Sequence, residues 1–335
     1  MQHQSKEEGT HTKMATDIVT REPAVIILPG GLPALVERAG DRAAWRFVEF
    51  FTATIRNPNT REAYARAVGR FFSWCEGRGL EDLAAINPVL VAAYIEHFPG
   101  SKPTVKQHLA AIRQCFDWLV SGGVLESNPA ASVRGPKYVI KKGKTPVLSS
   151  EQATALIASI DPGTIAGLRD RALIGAMVYT FARVGAVTSM KVEDYYANGR
   201  RYWFRLHEKG GKFHEVPAHH KAEELMDAYL EEAKIGTDLK GPLFRSVDRH
   251  RQLTGRPMHR NDVIRMIKRR GRGRGLPPGI CCHTFRATGI TDYLENGGTI
   301  EKAQAIAAHE SSRTTKLYDR TEDAITLAEI ERIRI

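Results

Sequence analysis

The stretch HTFRATGITDYLENGGTIEKAQAIAAHESSRTTKLY, residues 283–318, begins with a histidine and ends with a tyrosine. His283 and Arg286 are three positions apart, so a helix places both on one face. A glycine pair then ends this predicted helix. A short apolar helix follows, and His309 begins a polar turn after it, nine residues before Tyr318. The block therefore predicts two helices, with polar groups at the start of the first and after the second.

Upstream of this block, the pattern predicts a buried helix and then a strand hairpin. Residues 168–181 are strongly apolar, as in a buried helix, and Arg183 lies just beyond them. At 201–206 polar and apolar residues alternate with the period of a strand. The glycine pair 210–211 marks a turn, so Lys209 is expected at or beside the tip of a hairpin.

These side chains match the needs of one reaction. Metal-free breakage of a phosphodiester requires a nucleophile, cations around the non-bridging oxygens, a partner for the nucleophile's proton and an acid for the leaving oxygen. The stretch from 183 to 318 supplies each group in one order along the chain. This ordered set closely resembles the tyrosine recombinase (phage integrase) family, including the His-x-x-Arg, the glycine that ends its helix, the later histidine, the Thr-Thr pair and the final tyrosine.

The resemblance implies a set of catalytic residues and a role for each. Tyr318 attacks the scissile phosphate and becomes joined to the DNA 3′ phosphate. Arg183 and Arg286 hold the non-bridging oxygens, a task that suits a planar guanidinium that stays charged. The implied catalytic set is Arg183, Lys209, His283, Arg286, His309 and Tyr318.

The resemblance also assigns the proton transfers. His283 assists proton movement at the nucleophile, and His309 hydrogen-bonds the phosphate. Lys209 protonates the departing 5′ oxygen, although Lys212 is close enough to be a rival. Because the phosphotyrosine retains the bond energy, a second 5′ hydroxyl can reverse the step, so no metal, ATP or other cofactor is expected.

Three alanines depart from the family pattern. Ala186 stands where the family usually has an acidic residue, Ala308 where a glycine is usual, and Ala287 where a histidine or arginine is frequent. None of the three removes a group that does the chemistry. The loss at Ala186 is expected to weaken the support of Arg183 or His283.

The fold class is mainly α with a small β-sheet. The resemblance implies a two-domain C-shaped clamp, in which a helical core-binding domain and an α+β catalytic domain lie on opposite sides of a duplex. The expected parts are a flexible tail at 1–40, a helical SAM-like DNA-binding domain at 41–133, a basic linker at 134–146 and a catalytic domain with a C-terminal helix at 147–335.

The first of these domains is expected to contain several helices. Apolar residues recur at helical spacing, and Asn59 or Thr60 is a candidate cap for the second helix. Further helices are expected to begin near Pro88 and Lys102. Basic residues between the apolar positions are candidates for a DNA-facing side, with an ordinary solvated surface as the alternative for each: Arg61, Arg66, Lys102, Lys106 and Arg113.

The charge of the chain favours a polyanionic partner. Lysine and arginine number 49 against 38 aspartates and glutamates, which gives a net charge of +11 at pH 7. Each phosphate neutralised by such a side chain releases counterions. The densest basic run lies at 265–274 and is a candidate phosphate-contacting surface or a solvated helix end. The expected partner is double-stranded DNA at a specific site.

Two further expectations concern assembly and location. An amphipathic segment at 324–333 resembles the family helix that docks into a neighbouring protomer, which implies a homotetramer on DNA; packing on its own domain is the alternative. The chain lacks the run of about 20 apolar residues that a membrane span needs. Its 4 cysteines are too few and badly spaced for a disulfide framework, which suits the cytoplasm.

Three other functions remain as alternatives. The first is a DNA-binding regulator that has the same fold but is catalytically silent. The second is a type IB topoisomerase, which uses similar chemistry. The third is a zinc module built on Cys281, Cys282 and His283, although no second ligand pair stands at finger-like spacing. The pattern does not distinguish integration, excision, resolution or inversion of a mobile element.

Overall fold

The chain folds into two compact units, residues 1–139 and 140–335. The computed structural model describes residues 31–139, 143–208, 213–319 and 330–331. Two predicted features lie outside these residues. They are the hairpin tip with Lys209 and Lys212, and nearly all of the C-terminal segment at 324–333.

The described part of the first unit is helical. Its helices are α1 Ala34–Arg38, α2 Asp41–Glu49, α3 Pro58–Glu76, α4 Pro88–His97 and α5 Lys102–Ser121. A π-helical turn, Phe50–Thr54, continues α2, and a 3₁₀ turn, Leu83–Ala85, precedes α4.

Aromatic side chains form the centre of the first unit's core. The rings of Phe47 and Phe51 meet edge to face at 5.2 Å, and Phe71 meets Phe116 in the same way at 6.1 Å. All four side chains are buried. Burial of each such side chain contributes about 1.5–3 kcal/mol. The apolar face that the helical spacing predicts is thus the face that packs.

The cap of α3 differs from the predicted one. Asn57 caps the helix, and its side-chain oxygen accepts from the backbone amides of Asn59 and Thr60 at 3.0 and 3.3 Å. Pro58 occupies the first helical position, where its missing N–H costs nothing. The prediction of Asn59 or Thr60 as the cap was therefore wrong by two or three positions, because Pro58 starts the first turn of the helix before either residue.

Two of the five candidate DNA-facing residues have structural partners. The Arg113 guanidinium donates to the carbonyl of Ala130 at 3.0 Å and also to that of Val133. Arg61 donates to the carbonyl of Ile55 at 2.9 Å. These bonds hold the segments beside α5 and α3, so the fold accounts for both arginines. Of the other three, Arg66 forms an exposed ion pair with a glutamate one turn earlier, and the two lysines are exposed.

The described part of the second unit combines helices with two small sheets. Its helices are α6 Ser150–Ala158, α7 Ile165–Tyr179, α8 Val184–Thr188, α9 His220–Ala233, α10 Arg260–Gly271, α11 Cys282–Glu295, α12 Ile300–Ile306 and α13 Ser312–Lys316. Its strands are β1 Tyr195–Asn198, β2 Arg201–His207, β3 Phe213–Pro217, β4 Arg245–Val247 and β5 Leu253–Pro257.

Helix α7 is the central helix of the second unit and packs against α9 and α11. The predicted apolar helix is therefore confirmed, but it ends at Tyr179 rather than at Phe181. Phe181 has a φ of 54°, in the left-handed region, and this turn leads the chain to Arg183. Gly289 on α11 lies so close to α7 that a Cβ there would be 2.1 Å from the carbonyl oxygen of Val178.

The strands form one three-stranded antiparallel sheet, β1-β2-β3, and a separate hairpin, β4-β5. The pairing of Phe204 with Val216 confirms the predicted hairpin arms. Its tip lies outside the described residues. The sequence analysis predicted a single strand hairpin, and it missed β1 and the β4-β5 hairpin. These strands are short, and β5 contains Gly255 and Pro257, which are typical of turns.

Part of the basic run at 265–274 is structural. Asp170 on α7 is completely buried, and Arg270 on α10 donates to its Oδ2 at 2.8 and 3.1 Å. Arg169 donates to the other oxygen of the same carboxylate at 2.7 Å. Arg274 donates to the hydroxyl of Ser159 at 2.7 Å. A buried carboxylate requires such partners, so these bonds join α10 to α7.

Helix α5 is the longest helix of the described segments, at 20 residues. It has polar residues along its length, including Arg113 and Asp117. Among the helices of residues 31–319 that the structure describes, none is both long and apolar enough to cross a membrane.

Candidate active site

Five of the six predicted catalytic residues lie in the described part of the second unit. Arg183 is the N-cap of α8, and α11 carries His283 and Arg286. His309 follows α12, and Tyr318 follows α13. Lys209 and its rival Lys212 lie outside the described residues, so the position of the leaving-group acid stays a prediction.

Tyr318 and His283 are in direct contact. The Tyr318 hydroxyl lies 2.5 Å from Nε2 of His283. Burial raises the pKa of Tyr318, while Arg286 and Arg183 oppose that rise. Desolvation of the imidazole, followed by the charges of the same arginines, lowers the pKa of His283 below its ordinary 6.5. At neutral pH the phenol and the imidazole in this contact are therefore both neutral.

Arg286 is held by two backbone carbonyls. It is completely buried, and it donates through Nη1 to Phe181 and through Nη2 to Ala307 at 2.6 Å. Its Nε has no hydrogen-bond partner among the described residues. Burial lowers the pKa of Arg286 to about 10, so the guanidinium stays charged at neutral pH. Its bonds join the end of α7 to the end of α12 beside Tyr318.

His309 packs against the tyrosine from the other side. Its ring is stacked on the Tyr318 ring, with centroids 5.8 Å apart and planes inclined by 8°. Nδ1 is hydrogen-bonded to the buried hydroxyl of Thr315 at 2.9 Å. Burial, with the charges of Arg286 and Arg183, lowers the pKa of His309 to about 3. This imidazole is therefore neutral and fixed in orientation.

The turn before His309 contains Ala308, one of the three departures from the family pattern. Ala308 has a φ of 47°, in the left-handed region that favours glycine. The alanine costs about 1–2 kcal/mol of backbone strain there. A hydrogen bond from the backbone amide of His309 to the carbonyl of Gln304, at 3.1 Å, supports the turn. Residue 308 thus has the backbone conformation that favours glycine, although it is an alanine.

Arg183 pairs with a carboxylate that sequence reasoning missed. Its Nη1 lies 2.5 Å from Oε2 of Glu208. The Glu208 side chain is only 5% exposed, whereas that of Arg183 is 40% exposed. Ala186 was expected to leave Arg183 or His283 with weaker support, but Arg183 has this partner instead. No periodicity marks Glu208; the only hint was an acidic residue directly before the hairpin lysine.

Three further hydrogen bonds fix the elements that carry the site. Thr291 on α11 donates to the carbonyl of Tyr318 at 2.8 Å. Thr288, one turn earlier, accepts from the backbone amide of Leu148 at 3.0 Å. His214 on β3 bonds through Nε2 to the carbonyl of Ile306 at 3.0 Å. The last contact ties the hairpin to α12, and none of the three could be recognised from spacing along the chain.

The arrangement is suited to binding an anion and deprotonating a phenol. Arg183 and Arg286 provide two positive charges. The Glu208 carboxylate pairs with Arg183 and raises the pKa of Arg286. The excess positive charge acts on a phenol that is already hydrogen-bonded to an imidazole. Within the described segments, no group of three or more His, Cys, Asp or Glu side chains is placed to hold a metal ion.

Sequence comparisons relate both halves of the chain to one family. The profile described as "Phage integrase family" matches residues 146–324, and that described as "Phage integrase, N-terminal SAM-like domain" matches residues 46–123. The tyrosine recombinase XerD of Listeria monocytogenes serotype 4b is 27% identical over 264 residues, covering 78% of this chain and 87% of its own. XerC 2 of Ralstonia nicotianae is 29% identical over 282 residues, covering 81% and 79%.

Solved structures share the fold. The XerH site-specific recombinase bound to a palindromic difH substrate, in a post-cleavage complex, superposes with a TM-score of 0.66 at 17% identity. That match covers 87% of this chain and 94% of the other. A lambda integrase dimer bound to a COC′ core site gives a TM-score of 0.63 at 19% identity, covering 85% and 80%.

Proposed function

The chain belongs to the phage integrase family, and we propose that it cleaves and rejoins DNA at a specific site through a covalent bond to Tyr318. The observation that carries the proposal is the 2.5 Å contact between the Tyr318 hydroxyl and Nε2 of His283, beside the buried guanidinium of Arg286. A nucleophile hydrogen-bonded to a base and adjacent to an anion-binding cation is what phosphoryl transfer requires.

The two arginines bind the scissile phosphate. Arg286 has an unpartnered Nε among the described residues, and Arg183 is only half-buried, so both retain donors for non-bridging oxygens. His309 supplies a third donor. We assign the neutral ring the tautomer with its hydrogen on Nε2, so that Nδ1 accepts from the Thr315 hydroxyl and Nε2 can donate to the phosphate.

The covalent step is a displacement at phosphorus. The Tyr318 oxygen forms a bond to phosphorus as the bond from phosphorus to the 5′ oxygen breaks. The phenolic proton passes to Nε2 of His283, and the departing 5′ oxygen takes a proton from the hairpin lysine, which the family resemblance assigns to Lys209. The 3′-phosphotyrosine conserves the energy of the broken bond, so a 5′ hydroxyl rejoins the DNA by the reverse displacement without ATP. The arginines supply the positive charge that a metal ion would otherwise provide.

Double-stranded DNA is the proposed partner. The net charge of +11 and the SAM-like match at 46–123 support this, with the first unit as the core-binding domain. XerH and lambda integrase, which share the fold, were solved on DNA. Assembly of a homotetramer through the C-terminal segment, action on a mobile element and a cytoplasmic location remain predictions from the sequence.

The proposal is tested by covalent capture. Nicked suicide duplexes that tile the DNA on either side of the chain's own gene would be incubated with the protein, without metal or ATP. We expect a protein–DNA adduct that survives denaturation, and we expect none with Tyr318→Phe, which keeps the ring but lacks the nucleophile. The trapped fragment also maps the cleavage site. Specific binding without any adduct would replace this proposal with the catalytically silent regulator of the same fold.

A further inference from the structure

Glu208 is a buried carboxylate inside a site whose other charges are positive. It directly follows β2, at the base of the hairpin. One oxygen, Oε2, lies 2.5 Å from Nη1 of Arg183. The other, Oε1, is buried and has no hydrogen-bond partner among the described residues. A carboxylate is costly to bury, so this one depends on the charge of Arg183 to remain there.

The carboxylate also affects the second arginine. Burial and the positive charge of Arg183 lower the pKa of Arg286, whereas the negative charge of Glu208 raises it. Two guanidiniums that converge on one phosphate repel each other before the phosphate binds. A carboxylate that pairs with one arginine and raises the pKa of the other offsets that repulsion and stabilises the arrangement that receives the DNA.

Helix α8 offers Arg183 no carboxylate of its own. The helix has the sequence VGAVT, and Ala186 presents a methyl group where an acidic side chain is usual in the family. Over the described residues, Glu208 is the one side chain that pairs with Arg183. The acidic partner therefore comes from the hairpin, 25 positions further along the chain.

We propose that Glu208 is a positioning residue, which fixes the Arg183 guanidinium by engaging Nη1 so that its remaining N–H groups face the scissile phosphate. The proposal rests on the proposed function, because it assigns Glu208 to the same reaction. Glu208 does not contact the reacting atoms. It acts through Arg183, whose side chain is 40% exposed. The ion pair restricts the conformations that this side chain would otherwise adopt.

The test uses Glu208→Gln and a matched control. The amide keeps the size of the side chain but carries no charge, so it holds Nη1 by a neutral hydrogen bond about half as strong as the charged one. Glu215→Gln makes the same change on the same hairpin, at an exposed glutamate that pairs with Arg205 at 3.0 Å. Single-turnover capture rates and DNA affinities would be measured on the duplex whose cleavage site the Tyr318 experiment maps.

Two substrates separate positioning from a structural role. One carries the ordinary scissile phosphate. In the other, a neutral methylphosphonate replaces it, which removes the charge that Arg183 compensates. On the phosphate, we expect Glu208→Gln to slow capture about 10-fold with DNA affinity unchanged or higher. On the methylphosphonate, we expect this variant to approach the wild-type rate within about 3-fold, because the orientation of Arg183 matters less. The control should stay within about 2-fold of wild type on both.

Each other outcome overturns the proposal. Unchanged or faster capture by Glu208→Gln would mean that the carboxylate obstructs Arg183 rather than orients it. An equal loss on both substrates, together with a lower melting temperature, would mean that Glu208 only supports the fold. If wild type captures neither substrate while Tyr318→Phe behaves identically, the proposed function itself fails, and this inference fails with it.

Discussion

In the proposed mechanism the proton of Tyr318 passes to Nε2 of His283, which lies 2.5 Å from the hydroxyl. That acceptor is available because desolvation and two arginine charges lower the pKa of the imidazole. His309, with a pKa of about 3, is neutral over the whole physiological range. Burial raises the pKa of Tyr318 although the two arginine charges oppose the rise, so the phenol does not ionise on its own and needs the base. Catalysis by this site should therefore depend on the protonation of one histidine.

We expect the single-turnover rate of covalent capture to fall only at acidic pH. Protonation of Nε2 removes the acceptor, and the pKa of His283 in the folded protein lies below 6.5. We expect a constant single-turnover rate from pH 8 down to about 6.5, and then a fall that reaches about 10-fold per pH unit below the pKa. His309→Gln should be slower but keep the same acid limb, because the pKa of His309 lies outside this window. A fall that begins above pH 6.5 would identify a different base.

At the scale of elements, the site depends on the close approach of α11 to α7. His283 and Arg286 lie on α11, and the carbonyl of Phe181, just after α7, accepts from Arg286. Small residues on α11, Ala287, Thr288 and Gly289, allow this approach. The Thr288 hydroxyl then holds α11 to Leu148, just before α6. The Thr291 hydroxyl holds it to the backbone carbonyl of Tyr318. A shift between the two helices would separate the arginine from the nucleophile.

Gly289→Ala tests this packing. The added methyl would lie 2.1 Å from the Val178 carbonyl oxygen, so the helices must move apart. We expect the free energy of unfolding to fall by about 1–3 kcal/mol, measured by urea denaturation, together with loss of capture. Gly185→Ala is the control. This residue of α8 has no atom within 4 Å of a Cβ, so alanine should stabilise by up to about 1 kcal/mol through its helix propensity. Equal stabilities for the two variants would contradict the close approach.

At the scale of the whole molecule, the two units have separate cores. The buried apolar residues of the first unit run from Leu35 to Val133, and aromatic pairs dominate them. Those of the second unit form two clusters, which begin with Leu148 and with Phe181. No buried core cluster of the described residues includes members from both units. Each core therefore has the means to fold by itself.

We expect fragments 31–139 and 140–335 each to unfold cooperatively when made alone. Differential scanning calorimetry would measure their melting temperatures against those of transitions in the intact chain. The second fragment should retain covalent capture at high concentration but bind DNA more weakly, and more so as salt is raised. Failure of either fragment to fold would show that its core needs the other unit.

The sequence by itself determined the family, the helical character and the hairpin arms, and it named candidates for most of the site. The helical character and the hairpin arms follow from local periodicity, whereas the family and the candidate site residues follow from the resemblance of an ordered set of groups to the family pattern. His283, Arg286, His309 and Tyr318 could be selected for that reason. The cap at Asn57 and the ends of α7 were misjudged by a few residues, because local signals define the ends of helices less sharply than their faces.

Only the tertiary structure decided which groups support the proposed catalytic residues. Glu208 meets Arg183 across 25 positions of chain, and the Phe181 carbonyl meets Arg286 across 105. The left-handed turn at Ala308 shows that a backbone conformation can persist without the glycine that favours it. Such contacts arise when α7, α11 and the hairpin pack together, and nothing in the spacing of a linear chain encodes the distance between segments far apart in sequence. The candidate residues could therefore be named from the chain, whereas the contacts that hold them in place came from packing.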